Sequence, residues 1–443
     1  MNKYSKNVFR IASPVFISLL AQNIIGLTDT AFMGRLGEIA LGGSAMASMV
    51  YFCVFTLGFG LGAGTQIIIA RRFGSKHYSN IGKVLSQSFI MLSMAAVFVI
   101  VVGYFFGEKF FYAVFSSDRI AAVATEYWDY RLLGFLFSFL CAAFRSFFVG
   151  IARTKVLTYN AFVMAFVNII LDYGLIFGQL GLPQLGVKGA AIASVIAEMC
   201  SLVFYLVYVR LEVDRSHFGL SVRGLFSIQW KLILKIFRLS VYIMLQALIS
   251  MSSWALFFFM IEHLGERPLA IATIIRSVYI FLFIPINSFS TSVNSLVSQL
   301  IGAGKSDEVK RFVRSISRLS FLVMAGVCII ISVFPGFVIG VFTDESVLIQ
   351  EARPALYVIC VSLCICAYGN MAFSAVSAAG ATKKALLIEM AATIFYVIYS
   401  GIMTYGLRAS VDICYTVEVL YYIFIGIFSY KYLWSGKWKS KKL

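Results

Sequence analysis

Long apolar stretches dominate this sequence and limit what it can fold into. Runs of twenty or more mostly apolar residues follow one another along the whole chain, separated by short polar intervals. A helix of about twenty apolar residues is long enough to cross the hydrocarbon core of a bilayer. The pattern therefore predicts an all-α polytopic membrane protein with twelve transmembrane helices. The predicted spans are 11–34, 42–70, 84–106, 121–149, 156–178, 187–209, 232–261, 268–300, 312–341, 350–379, 385–406 and 411–433.

The composition agrees with a membrane protein and leaves no interval long enough for a soluble domain. Of the 443 residues, 60% are hydrophobic and 13% are charged, whereas a soluble protein carries about 25% charged residues. The net charge of +17 is spread over alternate loops and both ends of the chain rather than over one face. We therefore expect no nucleic-acid partner, because this distribution is typical of topology determinants.

The loop charges predict the orientation of the spans. Basic residues follow the even-numbered spans and flank both ends of the chain, whereas the opposite loops hold few cations and several acids. Because cytoplasmic loops carry the excess of Lys and Arg, we expect both termini on the cytoplasmic side of a bacterial inner membrane. Examples from the two sets of loops are Arg71, Arg72, Lys76, Lys305 and Lys310 on one side, and Glu108, Asp118, Asp344 and Glu345 on the other.

The two halves of the chain align with each other without a gap. Phe9-Arg10 falls on Phe237-Arg238, and Leu36-Gly37-Glu38 falls on Leu264-Gly265-Glu266 at the same offset. The alignment predicts a duplication, with lobes at 1–210 and 230–443 joined by a cytoplasmic linker at 211–229. Six spans per lobe give both lobes the same topology, so they should be related by a pseudo-two-fold axis along the membrane normal, with substrate in the cleft between them.

Two intramembrane acids are the first functional candidates. Asp29 lies in span one and Asp172 in span five, at nearly the same depth, and no basic residue stands beside either in the sequence. Asn168 precedes Asp172 by four residues and so shares its helix face, and Tyr127 could reach the same site. A charge at this depth is expensive and is usually functional. The group could hold a proton, because burial and a second carboxylate both disfavour the charged form, or it could hold Na⁺.

The second half lacks both acids, because Asp29 falls on Phe257 and Asp172 on Ser400. Ion coupling is therefore expected in the first half. The remaining intramembrane charges are interpreted as structural: Glu198 and Glu389 have no obvious partner, Glu389 is expected to contact water, and Arg276 could pair with Glu418. Four glycines of span two, at 58, 60, 62 and 64, are interpreted as a helix-packing surface rather than a phosphate-binding loop.

These residues carry a resemblance to a known family. The chain resembles the multidrug and toxic compound extrusion (MATE) family, most closely its DinF-like branch, over essentially its whole length. The resemblance rests on Asp29-Thr30-Ala31-Phe32-Met33-Gly34-Arg35-Leu36-Gly37, on Gly150 with Thr154-Lys155, on the segment 168–173 followed by Gly178, and on the segment 181–191.

The resemblance implies a two-lobed exporter that exchanges cationic or amphipathic drugs for H⁺ or Na⁺. It implies that Asp29, Asn168 and Asp172 form the cation site, and that the first helix bends at Pro14. The sequence departs from the branch of the family that places carboxylates in spans seven, eight and ten, and Glu262 lies at the end of span seven, so no ion site is expected in the second lobe. Ala190-Ala191 stands where some relatives have a hydroxyl ligand, which weakens the Na⁺ interpretation more than the H⁺ one. Candidates for the substrate cavity or for gating are Gln22, Pro14, Met33 and Tyr173.

The prediction is therefore a secondary active multidrug antiporter working by alternating access. We expect it to be a monomer in the lipid bilayer, to use no cofactor beyond the coupling ion and to catalyse no reaction, since no nucleophile–base set, ATP-binding motif or metal signature is found. The alternative is a flippase for a lipid-linked or amphiphilic substrate, which shares the wider superfamily architecture. A channel is less favoured, because a pore usually places charges around its whole ring.

Overall fold

A computed structural model describes residues 3–221, 224 and 227–440. Residues 222–223 and 225–226 of the predicted linker lie outside the described residues. The described part of the chain is built from helices. They are α1 (Lys3–Arg35), α2 (Glu38–Gly74), α3 (Ile81–Val114), α4 (Asp118–Arg131), α5 (Gly134–Gly150), α6 (Lys155–Phe177), α7 (Val187–Glu212), α8 (Trp230–Glu262), α9 (Glu266–Gly302), α10 (Glu308–Val333), α11 (Pro335–Gly340), α12 (Ser346–Ala378), α13 (Thr382–Gly401) and α14 (Val411–Ser435).

The fold prediction is confirmed. Eleven helices of the described ranges are long and apolar enough to cross a membrane, and α4 with α5 supplies a twelfth span as a pair bent by 53°. Each sits on one of the twelve predicted spans. The chain is therefore a multi-pass, all-helical membrane protein.

Two of the predicted spans are wrong as single helices. Span four breaks between Arg131 and Gly134, so that α4 and α5 form a bent pair. Span nine ends at Val333, and the short helix α11 follows it. Pro335 is the first residue of α11, and because a proline has no N–H and clashes with the preceding turn, it cannot continue α10.

Residues 17–244 form one compact unit. The four glycines of α2 let neighbouring helices approach, which confirms their interpretation as a packing surface. Ser146 on α5 donates a hydrogen bond to the Gly62 carbonyl at 2.8 Å, and Ser240 on α8 donates one to the Leu61 carbonyl at 2.8 Å. A Cβ atom at Gly60 would lie 2.7 Å from Met244. Backbone carbonyls inside a membrane protein are thus reached by hydroxyls from adjacent helices.

The loop after α7 is part of this same unit and folds back on α3. Asp214 accepts hydrogen bonds from the Ser216 hydroxyl at 2.6 Å and from the backbone N–H groups of Ser216 and His217 at 3.1 Å. The Ser216 hydroxyl, with the His217 amide, lowers the pKa of Asp214. At the end of this turn the Phe218 carbonyl accepts a hydrogen bond from Gly82 at 2.8 Å. The loop is therefore anchored by hydrogen bonds.

The second compact unit comprises, of the described residues, 3–16 and 245–440. Its hydrophobic core is arranged around α12, which packs against α9, α10 and α14. Gly369 on α12 lies against Gly426 on α14, where an added Cβ would lie 3.0 Å from the Gly426 Cα. After Ser400, α13 continues as a π-helical turn, Ile402–Gly406. The predicted lobes 1–210 and 230–443 stay a prediction.

Candidate functional site

The structure brings together the three polar residues predicted from the first half. Asp29 comes from α1, and Asn168 and Asp172 come from successive turns of α6. The two carboxyl groups face each other at short range, and the Asn168 side chain lies close enough to Asp172 to interact with it. Asp172 is 0% exposed and Asn168 is 1% exposed. Their convergence follows from the i, i+4 spacing on one helix face.

The oxygen atoms of this group lack hydrogen-bond donors. Within the described ranges, no donor in hydrogen-bonding geometry reaches Asp29 Oδ1, either carboxyl oxygen of Asp172, or Asn168 Oδ1. A buried acceptor left without a partner costs about 1–3 kcal/mol, and more if it is charged. Two facing carboxylates also repel each other unless one of them gains a proton or both share a cation. The arrangement can therefore bind and release a positive charge.

Tyr127 on α4 lies at this site, as predicted. It is 5% exposed, close enough to Asp29 and Asp172 for electrostatic interaction, and lies near Ser48 on α2. Its hydroxyl can supply a further oxygen or a proton donor next to the carboxyl groups. Sequence reasoning missed Ser48, because nothing in the sequence relates α2 to span four, where Tyr127 lies.

A cation does lie near the two acids, contrary to the sequence interpretation. Arg131, at the end of α4, acts electrostatically on both Asp29 and Asp172. It is itself held by Glu198 on α7, with two N–O distances of 2.7 and 2.9 Å. The Tyr51 hydroxyl donates to Glu198 at 3.0 Å, and the Arg131 guanidinium lies 3.9 Å above the Tyr51 ring. The expectation that Glu198 lacks a partner was therefore wrong.

Ser194 on α7 adds a hydroxyl to the site. It lies one helical turn after Ala190, the position where some relatives have a hydroxyl ligand. Asn168 Nδ2 donates to Ser194 Oγ at 3.4 Å, and Ser194 is four residues after Ala190. Sequence reasoning missed Ser194. The available signal was its i, i+4 spacing to Glu198, which places both on one face of α7.

The residues predicted for gating or for the substrate cavity occupy different environments. Met33 is buried one turn beyond Asp29, at 3% exposure, whereas Tyr173 is 44% exposed and faces away from buried Asp172. Pro14 is buried and Gln22 is exposed on α1. Gln22 lies about 10 Å along the helix from Asp29, and Pro14 about 22 Å, at a rise of about 1.5 Å per residue. Met33 alone of these four shares the depth and the buried face of the acid pair.

The other intramembrane charges differ from expectation as well. Glu389 is 4% exposed and accepts a hydrogen bond from Tyr421 at 2.5 Å, so its predicted contact with water is wrong. In the described part of the chain Arg276 and Glu418 do not form an ion pair. Arg276 lies 4.7 Å above the Phe258 ring, and Glu418 accepts a hydrogen bond from Tyr396 at 2.9 Å. The Phe258 ring contacts the Arg276 cation, and the Tyr396 hydroxyl supplies a donor to Glu418, in place of an ion pair between the two.

The oxygen set of the first half suits a hard monovalent cation as well as a proton. Two carboxylates, an amide oxygen and nearby hydroxyls are the ligand types that hard cations prefer. No group of three or more His, Cys, Asp or Glu side chains that could hold a metal ion is found among residues 3–221, 224 and 227–440. A Na⁺ ion here would depend on Asp29, Asn168 and Asp172 together.

Comparison with known proteins gives a family match over most of the chain. A model of the MatE family matches residues 14–174 and again residues 243–402. The second match follows the first at nearly the same offset as Phe237 follows Phe9, which supports the predicted duplication.

Curated relatives and solved structures are similar to this chain over most of its length. A "Probable multidrug resistance protein YoeA" of Bacillus subtilis is 25% identical over 78% of this chain and 75% of its own length. A "Probable multidrug resistance protein NorM" of Thermotoga maritima is 23% identical over 79% and 74%. Among solved structures, a transporter of the MOP superfamily from Pyrococcus furiosus has a TM-score of 0.90 at 19% identity, covering 98% of this chain and 96% of its own. This structural likeness bears on the fold alone.

Proposed function

The chain belongs to the MatE family, and we propose that it is a secondary active antiporter that exports cationic or amphipathic organic compounds in exchange for H⁺. The observation that carries the proposal is the facing pair of half-buried Asp29 and buried Asp172, whose oxygens Asp29 Oδ1, Asp172 Oδ1 and Asp172 Oδ2 lack donors among the described residues. A pair that must gain a positive charge to be stable can link ion binding to transport. Each charge that moves down a potential of 100 mV releases about 2.3 kcal/mol.

Coupling to a proton explains the site without any further ligand. One proton on either acid removes the repulsion and creates a hydrogen bond between the two carboxyl groups. The Arg131 guanidinium nearby acts against any added positive charge, a proton and a metal ion alike, so the carboxylate pair must supply the favourable interaction. Ser194 and Asn168 keep Na⁺ as the alternative coupling ion, since they complete a set of oxygen ligands.

We propose that protonation of the acid pair changes the conformation of α1. Asp29 lies on α1, and Pro14 in the same helix removes one backbone hydrogen bond, which permits a bend there. Met33, Gln22 and Tyr173 would then line or gate the path of the substrate. The transporter would act as a monomer in a bacterial inner membrane, with both termini cytoplasmic. The assignment to the DinF-like branch stays a prediction.

Transport in liposomes tests the coupling. Purified protein is reconstituted, a fluorescent organic cation is added, and a proton gradient and a Na⁺ gradient are imposed separately. Dye movement driven by the proton gradient alone is expected, and Asp29→Asn and Asp172→Asn should each reduce it at least tenfold. Asp129→Asn is the matched control, because this acid is exposed on α4 and should transport at a rate similar to the wild type.

Two other outcomes would change the conclusion. Movement driven only by Na⁺ would keep the antiporter and make Asp29, Asn168 and Asp172 a Na⁺ site. If neither gradient moves any of several cationic dyes, the drug-exporter proposal fails, and lipid-linked substrates become the next class to assay.

A further inference from the structure

The second half contains a buried acid–tyrosine network that the proposed mechanism does not use. Tyr396 on α13 donates a hydrogen bond to Glu418 on α14 at 2.9 Å, and Tyr421 on α14 donates one to Glu389 on α13 at 2.5 Å. Each helix thus supplies one acid and one tyrosine, and the pairs cross between the two helices. Glu418 is 3% exposed and Glu389 is 4% exposed.

The groups that face these two acids are neutral donors. On α8, Trp254 reaches Glu418 and Ser250 reaches Glu389. Tyr279 on α9 lies near both acids, and Cys366 on α12 lies near Glu418. Arg276 on α9 acts electrostatically on Tyr415 and stacks on Phe258, and it pairs with neither acid. Across the described ranges neither acid has an ionic partner, and a buried carboxylate without one is costly unless it takes up a proton.

The internal repeat places this network where the first half has its acid pair. At the offset that places Phe9 on Phe237, Asn168 corresponds to Tyr396 and Asp172 to Ser400. Ala190, the position without a hydroxyl in the first half, corresponds to Glu418. The carboxyl groups of the second half therefore come from its fifth and last helices, whereas those of the first half come from its first and fifth.

A buried polar atom without a partner lies on the same face of α13. Ser400 is 0% exposed, and its Oγ has no hydrogen-bond partner in the described part of the chain. It follows Tyr396 by four residues, so both lie on one helix face with Glu389. A buried hydroxyl without a partner needs an explanation beyond packing, as do the partnerless oxygens of Asp172 at the equivalent position.

We propose that Glu418 and Glu389, bridged to Tyr396 and Tyr421, form a second proton-carrying site in the second half of the chain. This inference rests on the proposed antiport and adds a second proton to each exchange cycle. The ligand is a proton rather than a metal ion, because a tyrosine donor already occupies one carboxyl oxygen of each acid, and tryptophan and serine side chains lie nearby. Hard metal ions instead require several free oxygen ligands. Tyrosine hydroxyls can both donate and accept, and so can pass a proton between the acids.

Infrared difference spectroscopy tests the site independently of transport. The protein in lipid nanodiscs is titrated with pH, and the C=O band of protonated carboxyl groups is followed. In an Asp29→Asn/Asp172→Asn background, where the first site is removed, a titrating band is still expected. Glu418→Gln and Glu389→Gln should each remove part of it, whereas the exposed Glu262→Gln control should leave it unchanged. A titration identical in all variants overturns the proposal, as does a band that responds to Na⁺ at fixed pH.

A conservative variant tests the bridge without the risk of unfolding the protein. Tyr396→Phe keeps the ring and removes the donor to Glu418, so the midpoint pH of the Glu418 band should move while the protein stays monodisperse. An unmoved midpoint would contradict the bridge.

A transport measurement then separates this inference from the proposed function. In otherwise native protein, Glu418→Gln should still move dye under a proton gradient, but with about half as many protons per dye molecule. An unchanged proton-to-dye ratio overturns the second site and leaves the antiporter standing. If wild-type dye flux is absent, the antiporter fails, and the infrared result still decides whether the second half binds protons.

Discussion

The Arg131–Glu198 pair is the buried ionic contact nearest the candidate cation site. Arg131 is 8% exposed and Glu198 is 5% exposed, so both charges have been removed from water. A buried pair of this kind often adds little net stability, but removal of one partner leaves an uncompensated charge in a medium of low dielectric constant and costs about 3–5 kcal/mol. The pair therefore affects stability mainly through the free energy that is lost when one partner is removed.

Glu198→Gln should lower the stability of the protein markedly. The expected loss is about 3 kcal/mol, because Arg131 would keep its charge without a carboxylate. The measurement is the temperature at which half of the detergent-solubilised protein leaves the monodisperse peak in size-exclusion chromatography. Glu126→Gln is the matched control, because it breaks the exposed pair with Lys188 at 3.0 Å, and such surface pairs are worth about 0–1 kcal/mol. Equal shifts in the two variants would contradict the argument.

At the scale of single residues, the sequence predicts that two polar groups meet when their spacing along the chain places them on one helix face or at one depth. Asn168 and Asp172 are one turn apart, and the depth of Asp29 in its span follows from counting residues. Arg131 and Glu198 are 67 positions apart, so their contact depends on how α4 packs against α7. The sequence contains no signal for that packing, which is why a nearby cation was not expected.

At the scale of elements, the break between α4 and α5 shows how tertiary contacts end a helix within an apolar run. Residues 131–133 contain neither proline nor glycine, so local propensity predicts one continuous helix. The break occurs beside Gly134, where an added Cβ would meet Glu198 and Tyr51 at 2.5 and 3.0 Å. The α5 helix can begin here because a glycine lets its backbone approach the buried ion pair.

A second close approach of glycine backbones predicts a measurable effect on stability. Gly82 on α3 donates to the Phe218 carbonyl, and a Cβ there would overlap the backbone of Gly219, which has a φ of +61°. Gly82→Ala should therefore destabilise the protein by about 1–3 kcal/mol, since neither backbone can move without losing that hydrogen bond.

Gly326→Ala on α10 is the matched control for Gly82→Ala, with the opposite expected sign. Nothing lies within 4 Å of the position that its Cβ would occupy. Alanine is favoured over glycine in a helix by about 1 kcal/mol. Thermal unfolding in detergent should show a lower midpoint for Gly82→Ala and an equal or higher one for Gly326→Ala. A lower midpoint for both would mean that glycine content, rather than the close approach, controls stability.

At the scale of the whole molecule, the sequence predicts most of the architecture because membrane solvation leaves few alternatives. Every backbone polar group in hydrocarbon must be satisfied within a helix or a closed barrel, so long apolar runs predict spans directly. The two halves of the chain align at one constant offset in the sequence. The two matches to the MatE model, residues 14–174 and 243–402, are separated by nearly the same offset. The second acid network was not predicted, because Glu389 and Glu418 fall on apolar residues of the first half, Ala161 and Ala190.

The loop charges predict the orientation of the whole molecule in the membrane, and this prediction can be tested directly. In a variant whose eight cysteines are replaced, Lys305→Cys lies between α9 and α10, and Asp344→Cys lies between α11 and α12. The positive-inside rule places the first on the cytoplasmic side and the second outside. A membrane-impermeant maleimide added to intact cells should therefore label Asp344→Cys and reach Lys305→Cys only after the cells are opened. The opposite pattern would mean that the chain has the inverse orientation in the membrane. Labelling of both in intact cells would mean that the span count between the two positions is wrong.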